Sequence, residues 1–182
     1  MIKLWSRNAS QQQAADTIYA AIVAQARHPG FYRDAHVPDS IDGRFDLLVL
    51  HAFLFLRRLK GEGEAAGELG QLVFDTMFAD LDQNLREMGV GDLGIAKRVR
   101  KMASAFYGRT AAYDEALDGY GADPEALEGA VKRNMFPESD EAPGAGPVAA
   151  YMAECDRALA AQETARLLEG TVSFPEPAFK LG

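Results

Sequence analysis

FDTMFADLDQNLREMGVGDLGIAKRVRKMASAFY, residues 74–107, carries two amphipathic helices and the turn that joins them. In its first half Phe74, Met77, Phe78, Leu81, Leu85 and Met88 recur at steps of three and four. At about 100° per residue they share one face. Asp75, Asp82 and Arg86 line one flank of that face, and Asp82 and Arg86 are spaced to pair. Gly89 suits the left-handed residue that closes a helix, with Val90 as the accompanying apolar contact. Asp92 reads as the N-cap of the next helix. There Ile95, Val99, Met102, Phe106, Tyr113, Leu117 and Tyr120 form a narrow stripe. Lys97, Arg100, Lys101, Ser104, Tyr107 and Gly108 lie opposite, with Arg98 and Arg109 at the margin. Two such stripes joined by so short a turn predict an antiparallel helical hairpin over residues 68–120.

Working outward, residues 44–60 are apolar nearly all round, and a helix without a polar face belongs at the centre of a bundle. Residues 10–27 place Ile18 and Ile22 at helical spacing, with the N-cap expected at or beside Ser10 and a stop at His28-Pro29-Gly30. Phe31, Tyr32, Arg33 and Asp34 read as an irregular segment, and Asp39 to Gly43 as turn chemistry. Asp123-Pro124-Glu125 is an N-cap, a proline at the first helical position and a first-turn acid. That helix closes near Asn134. Residues 137–147 read as an irregular Pro/Gly/acid loop, 148–169 as a last helix, and 171–182 as an extended tail packing through Phe174 and Phe179. The expected fold is all-α: one domain over residues 1–182, a bundle of about six helices around the apolar one.

Composition narrows the function. A chain of 182 residues can bury a real core, and 48% hydrophobic with 25% charged residues describes a folded domain. The net charge of −8 opposes a general nucleic-acid role, which needs a basic field, and disfavours an anionic membrane surface as well. Cys155 is the single cysteine, which points to a reducing compartment. The longest strongly apolar run, residues 47–56, is half of the roughly 20 residues a membrane span requires. No secretory signal is read before Gln11, so a soluble protein is expected.

Little in the sequence suggests catalysis. His51 lies on the most apolar helix, but no partner stands at ligand spacing, so it reads as a core histidine and no metal or cofactor is expected. His28 and His36 read as turn residues. Asp75, Asp80 and Asp82 are solvated carboxylates with no sequence neighbour that would tune them for acid–base work. The Lys97-Arg98-x-Arg100-Lys101 cluster stands out in an acidic chain, beside Ser104 and Gly108, which permit close approach. The methionines and phenylalanines of the hairpin read as core.

Leu85 to Leu93 (LREMGVGDL), followed by Lys97-Arg98 and Ala105-Phe106-Tyr107-Gly108-Arg109, resembles the ubiquinol–cytochrome c chaperone family. The likeness is strongest over residues 46–109, including the HAFLFLRRL helix from His51 to Leu59, and continues weakly through Arg133 to Phe136. It implies a non-enzymatic assembly chaperone that binds cytochrome b or an early cytochrome bc1 intermediate, working with a small partner protein in its eukaryotic members. Those members are mitochondrial. The absence of a presequence in this chain implies a bacterial member, cytoplasmic or peripheral at the inner membrane. The partner-binding residues expected on this basis are Asp75, Asp82, Arg86, Asp92, Lys97, Arg98, Lys101, Tyr107 and Arg109. A helical adaptor for another protein client and a lipid- or quinone-binding bundle are the alternatives; an α-helical hydrolase would need motifs the chain does not carry.

Overall fold

A computed structural model describes the backbone of residues 2–179 and the side chains of 9–179; the last three residues of the expected tail lie outside it. Among the described residues there are six long helices and two single-turn ones. They are α1 (Ile2–Ala26), α2 (Pro29–Arg33), α3 (Ile41–Leu59), α4 (Glu64–Glu87), α5 (Asp92–Asp118), α6 (Pro124–Met135), α7 (Ala145–Ala160) and α8 (Thr164–Leu168).

The apolar helix is central, as its composition demands. One side of α3 sends Leu47, Leu50, Phe53 and Leu54 into a core shared with α5, α6 and α7. The other sends Leu48, Val49, Ala52 and Phe55 into a second core with α1 and α4. Each fully buried Leu, Val or Phe contributes about 1.5–3 kcal/mol, so α3 is the element both halves depend on. The chief neighbour of α4 is α1 rather than its hairpin partner. Ala14, Ala15, Ile18 and Ile22 meet Ala66, Leu69, Val73 and Met77 in that contact, all of them buried.

Local chemistry explains most boundaries. Ser40 caps α3 by accepting from Gly43 N at 3.1 Å, so the helix starts at Ile41, three residues earlier than periodicity alone suggests. Asp123 accepts from Ala126 N at 3.2 Å with Pro124 in the first turn, as the sequence predicts for α6. At the end of α4, Gly89 adopts φ +78°. Val90 N donates to Leu85 O at 3.1 Å and Gly89 N to Arg86 O at 2.9 Å, the paired bonds of a left-handed helix stop.

Four expectations need correction. The first helix begins at Ile2, not near Ser10; the Gln11–Gln13 run is good helix sequence and does not start a new element. The segment after it is a helical turn: the His28 side chain accepts from Gly30 N at 3.1 Å and Pro29 opens α2. Residues 148–169 are not one helix. The Arg58 guanidinium takes the carbonyls of Leu159 and Gln162 and the Thr164 hydroxyl, and Glu163 is extended, which separates α7 from α8. Lastly, Asp92 sits inside the first turn of α5, whose cap is Gly91. The tail does pack as expected. The Phe174 ring stands edge-on to His51 at 5.5 Å, and Phe179 lies 5.1 Å from Phe31.

Candidate functional site

The hairpin of α4 and α5 divides into a tip, a groove and a buried root. At the tip, Arg86 ties the two helices together: its Nε lies 2.7 Å from Asp82 Oδ2 and its Nη1 2.8 Å from Asp92 Oδ1. These pairs are solvent-facing, and such pairs are worth about 0–1 kcal/mol each. Arg86 is therefore neutralised across the turn, and the second carboxylate leaves the trio net negative. Asp75 is exposed and accepts from Gln71 Nε2 at 2.7 Å.

The next turns of α5 are different. Lys97, Arg98, Arg100 and Lys101 are all exposed and have no ion-pair partner among the described residues. No side chain between Ile95 and Phe106 is fully buried, and Leu93 is 92% exposed. Lys97 and Lys101 stand one turn apart with like charge, an arrangement that mildly destabilises a helix.

Toward the root of the hairpin, past the basic turn, a groove of about 570 Å³ runs between α4 and α5, floored by α3. Phe53, Leu56 and Leu59 form its floor, Gly67, Gly70 and Phe74 one wall, and Phe106, Tyr107 and Thr110 the other. Tyr107 is 61% exposed, with its ring centroid 6.0 Å from that of Phe74. The groove is thus apolar beneath and aromatic on one rim, with Arg57, Lys60, Gln71 and Asp114 also in its lining.

At the root, Arg109 departs from the expected docking face. It turns inward, with Nη2 2.7 Å from Asp46 Oδ1 and its guanidinium 5.7 Å from the Phe45 ring centroid. Burial pushes the Asp46 carboxyl up to about 6 even though the Arg109 charge pulls it down. Asp46 Oδ1, Arg109 Nε and Tyr113 Oη are buried without a well-aligned hydrogen-bond partner. This pair ties α5 to α3, with the Arg109 side chain 20% exposed.

Periodicity gave no sign of a second root cluster. Arg57 is bound by three carboxylates, with Asp114, with Asp118 at 2.7 Å and with Asp156 at 3.0 Å, while Lys60 Nζ lies 3.2 Å from the far oxygen of Asp114. Burial alone would raise the Asp114 carboxyl, but hydrogen bonds from Arg57 and Lys60 hold it below its ordinary value. Asp114 and Asp118, one turn apart, were the available signal.

His51 is fully buried: Nδ1 donates to Leu47 O at 2.7 Å and Nε2 accepts from Tyr151 Oη at 3.0 Å. Burial lowers its pKa to about 4, so the ring is neutral, with both nitrogens occupied. Among the described residues no set of three or more His, Cys, Asp or Glu side chains is placed to hold a metal ion, and no helix is long and apolar enough to cross a membrane.

Residues 33–174 match the profile of the ubiquinol-cytochrome C chaperone family. The chain is 28% identical over 123 residues to the ubiquinol-cytochrome-c reductase complex assembly factor 1 of Xenopus laevis, covering 68% of this chain and 60% of that protein. It is 28% identical over 130 residues to the Mus musculus protein of the same name, covering 71% and 43% respectively. The chain therefore spans about half the length of the curated relatives it matches. The crystal structure of the Cbp3 homolog from Brucella abortus superimposes with a TM-score of 0.86 at 39% identity, over 97% of this chain and 98% of that one.

Proposed function

The chain belongs to the ubiquinol-cytochrome C chaperone family, and we propose that it is a non-catalytic assembly chaperone that binds cytochrome b, or an early cytochrome bc1 intermediate, through the α4–α5 hairpin. The observation that carries this reading is the basic turn. Four cations in five positions are exposed without an ion pair among the described residues, in a chain whose net charge is −8. A client presenting acidic loops would relieve their mutual repulsion and find the attraction strongest at low ionic strength. The groove further along the same hairpin suits a hydrophobic helix of the same client, docked as a helix in a groove. The names of the curated relatives, assembly factors of the ubiquinol-cytochrome c reductase complex, support the same client class.

Within the hairpin, Lys97, Arg98 and Lys101 provide the electrostatic contact and Tyr107 the aromatic rim. Asp75, Asp82, Arg86 and Asp92 flank them as a border of net negative charge. Arg109 supports the site from beneath. The whole chain acts as one domain, at the membrane face where its client emerges, with or without a small partner protein.

The test is co-purification of cytochrome b from membranes of a strain assembling the cytochrome bc1 complex. The K97E/R98E/K101E variant is expected to lose cytochrome b from the eluate. Gly67→Leu, whose added Cβ meets no atom within 4 Å, fills the groove without disturbing the fold and is expected to weaken capture. Full retention of cytochrome b by both variants at low salt would overturn the reading.

A further inference from the structure

Away from the groove, a slot of about 250 Å³ opens where the C-terminal half of α1, the start of α3 and the end of α4 converge. Val23, Phe45, Leu48, Leu81 and Leu85 line its interior. Ile41 and Met88 stand at its edge, 64% and 51% exposed, although both are large apolar side chains. Burying them against water would be favourable, and nothing in the described chain does so.

The slot adjoins a shallow depression of about 520 Å³ that shares Arg27, Tyr32 and Arg44 with it and adds Pro29, Arg33 and Asp39. Arg33 is paired with Asp34, and Arg44 is held through Nε by Asp39, both at 2.7 Å. Arg27 has no ion-pair partner among the described residues, and the Nη atoms of Arg44 are not used by Asp39. In the wall of the slot, the carboxylate of Asp80 is engaged by the Tyr19 hydroxyl at 2.7 Å. In the depression three guanidinium groups outnumber the Asp39 carboxylate, while the slot itself is mainly aliphatic and carries the Asp80 carboxylate.

From this polarity we propose a binding site for a single-chain anionic lipid. The alkyl tail occupies the slot and the phosphate or carboxylate head lies on Arg27 and Arg44. Guanidinium groups match such oxyanions with charge-assisted, two-pronged hydrogen bonds. Asp80 repels the head from the inner wall and so fixes the orientation of the chain. The site is separate from the groove; Met102, which follows Lys101 in α5, is part of its lining.

Calorimetric titration of the full chain with dodecyl phosphate, below its micelle concentration, tests the assignment. One-to-one binding is expected. Arg27→Glu, at an exposed position, is expected to weaken it by about tenfold or more. Leu81→Trp, which fills the slot, is expected to abolish it, with helical content checked by circular dichroism. Inorganic phosphate and dodecyl maltoside separate the two halves of the ligand, and neither is expected to bind appreciably. Equal binding of inorganic phosphate, equal binding of dodecyl maltoside, undiminished affinity in Arg27→Glu, or no binding of dodecyl phosphate would each overturn the proposal.

Discussion

Residues 92–105 and 106–118 of α5 are one continuous helix in two different surroundings. In the first stretch only Ile95 is fully buried, and the basic side chains face water without ion pairs among the described residues. In the second, Phe106, Tyr113, Ala116 and Leu117 are buried. Every charged side chain there that reaches α3 is paired: Arg109 with Asp46, and Asp114 and Asp118 with Arg57. The difference is where α3 lies. A charge over α3 loses water and needs a partner, whereas a charge beyond its end keeps its water and remains available. The exposed basic surface thus lies where the helix has outrun its support.

The comparison is most easily broken at the buried end. Arg109→Ala leaves the Asp46 carboxylate without its cation and is expected to cost about 3 kcal/mol of unfolding free energy, measured by urea titration. A loss no larger than that of a surface substitution would show that the two halves of α5 are alike.

The next effect is a pH dependence. The pKa of Asp46 is raised in the folded state to about 6, above its ordinary 3.8, so the folded protein holds this proton more tightly than the unfolded one between those values. The stability this gives is fully present below about pH 4 and is lost as pH rises through 6, on the order of 2–3 kcal/mol. Relative to Asp46→Asn, the parent protein is therefore expected to lose stability over that window; a flat difference would place Asp46 in a wetter setting.

Smaller effects belong to the tip. Gly89→Ala must adopt φ +78° and is expected to cost about 1 kcal/mol, read from the shift in the urea midpoint. The charge-reversed K97E/R98E/K101E protein is expected to unfold within about 2 °C of the parent by differential scanning calorimetry, while losing its client. A large fall in its unfolding temperature would mean that those cations support the fold.

Much of this was legible beforehand because it is local. The stop at Gly89 was read from neighbouring residues, as was the Asp123-Pro124 start. The central position of α3 followed from an apolar surface with no wet side. The four exposed cations were recognisable by their density. Arg109 was not, because its position at the margin of a stripe is compatible with facing either way, and only the place of Asp46 on α3 turned it inward. The break between α7 and α8 was hidden for a similar reason, since the Arg58 side chain that takes the carbonyls of Leu159 and Gln162 comes from another helix.

By itself, the sequence determined that the chain is helical, where α4 stops and where α6 starts, and which apolar side chains of α3 turn inward, since periodicity and capping act within a few residues of the chain. Tertiary structure alone decided which charges are neutralised. The carboxylates bound to Arg57 lie 57, 61 and 99 residues away, and no local pattern encodes such a pairing. It also decided where cavities form, because the slot and the groove are the spaces left between helices whose side chains fill one another's gaps incompletely.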